Sequence, residues 1–326
     1  MQELYIGNNM SELKTNKIST NDQNNVAIDN ALGLKSYTTT ARDALTSVAG
    51  DMIYNTSDSK VQVYTGSAWE NVGASLESFE LEYLVVAGGG GGGGHFGGAG
   101  GAGGLLDDTG YYAPLNTALT VQIAGGGSAG GYASPGGDGG QTTFHQIICF
   151  GGGSGGARDG TAYGDGGGSG GGGGGRSSAY RGRGMPGQGN NGQSGVNAEG
   201  NSVGGGGGGA GGAAPGRPTA GAGLNKTITG STILFAQGGQ GGRPTTDGAG
   251  GGSGSGKNGD VNTGGGGGGG RSGQAGGSGG SGRVVLKYLT ADIASYSQTN
   301  LTIAESTSGD YTILDITSGT GTITFS

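Results

Sequence analysis

Phe79-Glu80-Leu81-Glu82-Tyr83-Leu84-Val85-Val86-Ala87 runs straight into seven consecutive glycines, residues 88–94. The first part reads as a strand, alternating apolar with glutamate and then continuously apolar. The glycines can build neither an ordinary helix nor an ordinary sheet. They have no side chain to bury and lose more backbone freedom on folding than any other residue. A second strand, Arg283-Val284-Val285-Leu286-Lys287-Tyr288-Leu289, closes the glycine-rich stretch at its other end. Two such strands can pair only if everything between them returns to its start.

Outward from residues 88–94, pure glycine recurs at 171–175, 204–209 and 264–270. With 90 glycines and 6 prolines in 326 residues, the chain reaches the roughly 25–30% at which low-complexity disorder is the default. Against a disordered linker stand three apolar segments between the tracts: 118–124, 142–150 and 226–236, each expected as a strand. A flexible linker has no use for Ile, Val and Phe in strand patterns. Collagen needs glycine at every third position, and the glycines at 182, 184, 187, 189, 192 and 195 break that period. A silk-like sheet would alternate glycine with alanine or serine, which the pure runs do not. The remaining lattice is polyglycine II, extended left-handed rods with three residues per turn and about 3.1 Å rise, by analogy with polyproline II. Such rods make no internal hydrogen bonds, so their buried N–H and C=O groups must find neighbouring rods.

The expected fold is therefore mainly β with almost no α-helix. A small N-terminal β module (1–78) precedes a polyglycine II bundle bracketed by strands (79–289), and a C-terminal β region (290–326) follows. Met52-Ile53-Tyr54-Asn55 and Lys60-Val61-Gln62-Val63-Tyr64 read as a hairpin with a turn at 56–59, against which Trp69 packs. A sheet that small is marginal alone. The C-terminal region alternates Thr and Ile and reads as a hairpin turning at Ser318-Gly319-Thr320-Gly321.

Charged residues are 12% of the chain and the net charge is −7. That balance argues against nucleic acid as a partner, which would need a basic face. No apolar run approaches the ~18 residues of a membrane span, so no membrane insertion is expected. The single cysteine, Cys149, excludes an intrachain disulfide. Residues 1–18 lack a basic start followed by an apolar stretch, so synthesis in the cytoplasm without a leader is expected, with release by cell lysis.

Several motifs tempt and fail. Gly251-Gly252-Ser253-Gly254-Ser255-Gly256-Lys257-Asn258 approaches a phosphate-binding loop. Asn258 stands where Ser or Thr would hold magnesium, and no strand–helix context surrounds it. The calcium-binding β-roll repeat is not sustained. His145 and Cys149 are too few for a metal site, and His95 inside its glycine run reads as a turn or rim residue. Asp107 and Asp108 are adjacent, not spaced as a glycosidase pair. No cofactor and no enzymatic activity are expected.

Two stretches carry a resemblance. The leading strand with residues 88–94, the step Leu119-Thr120-Val121-Gln122-Ile123-Ala124-Gly125-Gly126-Gly127 and the exit Gly279-Gly280-Ser281-Gly282-Arg283-Val284-Val285-Leu286 resemble the glycine-rich domain of bacteriophage tail-fibre proteins. Independently, Ser36-Tyr37-Thr38-Thr39-Thr40-Ala41-Arg42-Asp43-Ala44-Leu45, Ala49-Gly50-Asp51-Met52-Ile53-Tyr54-Asn55 and residues 60–69 resemble a module common in the virion proteins of marine phages. The resemblance implies a virion protein of the tail fibre or tail tip. It would be a homotrimer, contact other virion tail proteins through residues 1–78, and bind a bacterial surface glycan or outer-membrane protein. Loops at 105–116, 157–165, 176–186, 213–220 and 243–247 would then carry recognition. The receptor-binding candidates are Tyr111, Tyr112, Arg158, Tyr163, Tyr180, Arg181, Arg183 and Arg243, because Tyr and Arg dominate recognition surfaces. The bland alternative is that these side chains only cover the rod ends, in a purely structural fibre or decoration protein without receptor specificity.

Overall fold

The computed structural model describes residues 33–72, 78–159, 163–176, 179–198, 201–252 and 256–326. The leader reading of residues 1–18 lies outside them. The chain divides into two compact units, Met1–Ser75 and Leu76–Ser326.

In the first unit β1 (Ser36–Tyr37), β2 (Met52–Asn55), β3 (Lys60–Tyr64) and β4 (Trp69–Asn71) form one sheet in that order. The expected hairpin is present, with Met52 opposite Val63 and Asn55 opposite Lys60. Trp69 lies on β4 and its ring tilts against Tyr64 at 5.4 Å. One helical turn, α1 (Thr39–Asp43), starts where the Thr38 hydroxyl accepts from the Ala41 amide. So small a sheet has little apolar interior, and a polar network takes its place. Buried Asn55 Nδ2 donates to Gln62 Oε1 (3.0 Å) and Asp58 Oδ2 (2.9 Å), and Gln62 Nε2 donates to Asn71 Oδ1 (2.8 Å). Satisfied on every side, such a network specifies the packing that few apolar side chains could.

The second unit holds β5 (Ser78–Val86), β6 (Leu105–Pro114), β7 (Leu119–Gln122), β8 (Thr142–Phe144), β9 (Ile147–Cys149), β10 (Val196–Ala198), β11 (Asn201–Val203), β12 (Leu224–Lys226), β13 (Ile233–Phe235), β14 (Arg283–Leu289), β15 (Tyr296–Ser308) and β16 (Tyr311–Phe325). Eight of them form an antiparallel sheet in the order β6-β5-β14-β16-β7-β8-β9, with β15 on β16. The bracketing strands do pair: Arg283 lies opposite Val86 and Tyr288 opposite Leu81. The sheet curls until its ends nearly meet. Gly104 N donates to Phe150 O (2.8 Å), and Tyr111 Oη lies 2.6 Å from His145 Nδ1. This nearly closed barrel encloses Leu81, Val85, Phe144, Leu286, Leu314 and Phe325. The other face of β5 and β14 sends Leu84, Val86 and Val285 against Leu105, Phe235 and Ala102. The strict alternation of Leu84, Val85 and Val86 between two cores explains why that run is apolar throughout.

Four sequence readings change. Residues 105–116 are not a rod-end loop: 105–114 is strand β6, in which Thr109 and Gly110 together stand opposite the single Glu82, a one-residue bulge at the register shift between Leu81 and Tyr83 of β5. Residues 142–150 are a hairpin, β8–β9, reversed at His145 with φ +50°. Residues 226–236 likewise contain a turn, with β12 and β13 paired from Leu224–Phe235 to Lys226–Ile233. The C-terminal hairpin turns at Gly309-Asp310, where Gly309 has φ +60°, and not at 318–321. Ser318 and Gly319 instead face Thr302 and Leu301 across an irregularity in the β15–β16 pairing.

Between the strands the glycine tracts are straight rods whose hydrogen bonding has a period of three. Within 88–94, the amides of 88, 91 and 94 donate to 140, 137 and 134. Those of 89 and 92 donate to 280 and 277, and those of 90 and 93 to 101 and 98. The carbonyls of 88 and 91 accept from 152 and 155, those of 89 and 92 from 127 and 130, and those of 90 and 93 from 267 and 270. One rod thus bonds six others, donating to three antiparallel neighbours and accepting from three parallel ones. This is the expected polyglycine II lattice: all seven amides of the rod, and the carbonyls of 88–93, are satisfied by neighbouring backbone. Glycine is compulsory here: a Cβ on Gly90, Gly91, Gly92 or Gly93 would be driven into the carbonyl oxygen of Gly153, Ser128, Gly268 or Gly156.

Candidate functional site

Rod parity decides which side chains meet. The rod 88–94 leaves the sheet from β5, turns at His95-Phe96 and returns as 97–104 into β6, with Gly93 N bonded to Gly98 O and Ala87 N to Gly104 O. His95 and Phe96 both take positive φ, +48° and +53°, to make that turn. Later turns gather beside it at the end remote from the sheet. His95 N donates to Gln274 O, Gly94 N to Ser134 O, Gly175 N to Phe96 O and Gly241 N to Pro218 O. Arg271 N donates to Asp247 Oδ1 at 2.8 Å. This far end therefore collects residues that the sequence scatters from 95 to 274.

At its centre lies His95, 7% exposed. Its Nδ1 accepts from Gly273 N at 2.9 Å. In the neutral ring the proton then sits on Nε2, which is 3.1 Å from Asp159 Oδ2. The ring meets Phe96 edge-on at 4.7 Å and tilts over Tyr132 at 4.6 Å. Arg158 lays its guanidinium over Phe96, 5.3 Å from the ring centre. Asp247 lies 3.8 Å from Lys257 Nζ and 3.7 Å from Arg271 Nε. These contacts lock the turns to one another.

Of the candidates, Arg158, Tyr163, Tyr180 and Arg243 occupy the far end. Arg181 and Arg183 follow Tyr180 down one rod. Tyr163 and Tyr180 stack with centroids 5.6 Å apart and planes at 24°, and they are 50% and 67% exposed. Arg181, Arg183 and Arg243 are exposed. Tyr111 and Tyr112 are elsewhere, on β6 of the sheet. Tyr111 is half-buried against Tyr83, its hydroxyl occupied by His145, and burial raises its pKa. Tyr112 points to solvent from the same strand. Sequence reasoning did not select Phe96, Tyr132 and Asp159, and it placed His95 only as a turn or rim residue. Their one signal is that each interrupts or follows a glycine tract that must reverse.

Seven of the nine arginines lie from Arg158 to Arg271, within the glycine-rich stretch of an otherwise acidic chain. Among the described residues no set of three or more His, Cys, Asp and Glu is placed to hold a metal ion. Among them, too, no helix is long and apolar enough to cross a membrane. Cys149, on β9, is fully buried, donates to Val85 O at 3.2 Å and has its thiol pKa pushed up to about 12 by burial. It is a packing residue, not a nucleophile.

A family model described as a glycine-rich domain matches residues 64–289. No curated protein and no solved structure matches the chain.

Proposed function

The chain belongs to the glycine-rich domain family, and we propose that it serves as a bacteriophage tail-fibre or tail-tip adhesin. The far-end turns would bind a host surface glycan or outer-membrane protein, without catalysis. One observation carries this reading: a stiff, backbone-bonded lattice brings Arg and Tyr side chains from separate turns to a single end, remote from the sheet. A lattice held by its own backbone leaves the turns free to vary in sequence. The resemblances of residues 79–289 and 36–69 supply the biological setting. In it residues 1–78 would join other virion tail proteins, and three copies would assemble into the fibre tip.

A purely structural fibre is the second reading, and it has support of its own. His95 Nε2 and Arg158 Nε both turn to the Asp159 carboxylate, at 3.1 and 3.9 Å, so these polar groups are already used within the chain. Clefts of about 340 and 320 Å³ lie at the sheet, lined by Leu105 and Gln188 and by Glu80 and Tyr311 respectively. Binding of the fluorescently labelled full-length chain to strains that the phage infects separates the readings. We expect saturable binding that competes with virion adsorption and that falls when turn 243–247 is replaced by glycine and serine. No binding to any permissive strain, where intact virions adsorb, overturns the adhesin reading.

A further inference from the structure

Tyr163 and Tyr180 face each other because their rods are in register. Gly164 N donates to Tyr180 O at 3.0 Å, and three residues on, Gly167 N donates to Arg183 O at 3.1 Å. Two parallel rods thus advance together, one step per turn. With three residues per turn, Tyr180 and Arg183 share one row, separated by roughly 9 Å at about 3.1 Å per residue. The inward row of the same rod is Ala179 and Gly182, both buried, while Tyr180, Arg181 and Arg183 are exposed. Among the described residues neither Arg181 nor Arg183 makes an ion pair. The carboxylate on the neighbouring rod, Asp165, accepts from the Ser154 hydroxyl at 2.8 Å.

Two exposed aromatic rings stacked on each other have no packing role that requires exposure, and each keeps an outer face for a ligand. A flat amphipathic ring suits the apolar face of a sugar. Guanidinium groups take carboxylate or phosphate oxygens bidentately. We propose that Tyr163, Tyr180, Arg181 and Arg183 form a binding step for an anionic polysaccharide, with sugar rings on the tyrosine pair and acidic groups on the two arginines. The rigid rods fix the spacing between stack and charge, so little ordering entropy opposes binding. This deepens the adhesin reading for its biological setting, while its chemistry stands on these residues alone.

The test is equilibrium binding of the full chain to polygalacturonate, with neutral dextran of equal length as reference. We expect at least about a tenfold lower Kd for polygalacturonate, weakening as salt is raised. Arg181→Ala with Arg183→Ala should remove that preference and its salt dependence. Tyr163→Ala with Tyr180→Ala should weaken binding about tenfold while leaving the salt dependence in place. Lys226→Ala, at the sheet, should change neither. All four side chains are exposed, and thermal unfolding of each variant verifies that the fold is kept. Equal affinity for the two polymers, or arginine variants that bind like the parent, overturns the proposal. Should the chain bind permissive cells yet ignore polygalacturonate, this inference fails and the adhesin reading stands. Binding to polygalacturonate without binding to cells gives the reverse.

Discussion

Buried hydroxyls and one thiol set the alkaline limit of this fold. Burial pushes Cys149 up to about 12 from 9.0, only partly offset by a backbone hydrogen bond from Leu106. Burial, then Glu305 and Tyr296, push Tyr288 up to about 12 from 10.0. Tyr83 is raised by burial and then by Asp108, and Tyr296 by burial and then by its bond with Glu305. Each group keeps its proton in the folded chain at a pH where the unfolded chain has lost it. Stability is therefore constant below the ordinary values and falls as pH rises through them toward the folded ones. Urea midpoints should be flat from about pH 6 to 8 and decline steadily above about pH 9. A midpoint unchanged at about pH 11 would mean these side chains are wet. The same burial makes Cys149 inert to alkylating reagents until the chain is unfolded.

A rod, once ordered, has faces. In the surface rod 125–131, residues 127 and 130 are buried and 125, 126, 128, 129 and 131 are exposed. Gly127 N and Gly130 N donate to Gly89 O and Gly92 O, at 2.8 and 2.9 Å. The Ser128 and Ala129 amides have no acceptor among the described residues. Hydrogen exchange should therefore show slow amides at 127 and 130 and fast ones at 128 and 129, against uniform protection through 88–94. Gly127→Ala and Gly130→Ala drive a Cβ into the Gly137 and Ser134 carbonyl oxygens, and each should cost about 1–3 kcal/mol in chemical denaturation. Ala129→Ser should stay within about 0.5 kcal/mol. Exchange that is uniform along 125–131 would contradict the three-residue period. This period is also where the sequence stops being legible. Bracketing strands announce themselves through Val85-Val86 and Val284-Val285, and the absence of side chains in 88–94 points to a backbone-bonded lattice. Strand β6 hides because Asp107-Asp108-Thr109-Gly110 carries turn residues, although pairing with β5 extends through a bulge there. The β8–β9 turn hides because Phe144-His145-Gln146 holds neither glycine nor proline. The far-end cluster hides most deeply: His95, Tyr132, Arg158 and Gly273 meet only once the parity of every intervening rod is known.

At the scale of the whole glycine-rich unit, the C-terminal hairpin is what gives the rods a common base. The first part of β16 pairs with β14, from Tyr311 opposite Leu289 to Ile316 opposite Val284. Its second part pairs with β7, from Thr320 opposite Gln122 to Ile323 opposite Leu119. Gly319, with φ +118°, lies where the strand passes from one partner to the other. The strand therefore joins the strands that lead into rods 88–94 and 125–131, through β14–β5 and through β7. It also delivers Leu314, Ile316, Ile323 and Phe325, all fully buried, to the barrel interior. Arg283 and Asp315 pair across β14 and β16 with little exposure, and Lys287 Nζ lies 2.8 Å from Glu82 Oε2 across β14 and β5. Glycine rods pay a large ordering entropy and contribute no apolar side chains of their own. If the sheet supplies the missing driving force, a chain ending at Leu289 should lose the lattice together with the barrel. Amide protection at 88–94 should collapse, and the far-ultraviolet spectrum should lose its β contribution in one transition. Protected amides at 88–94 in that shortened chain would mean that the lattice stands by its own backbone bonds and that the sheet merely terminates it.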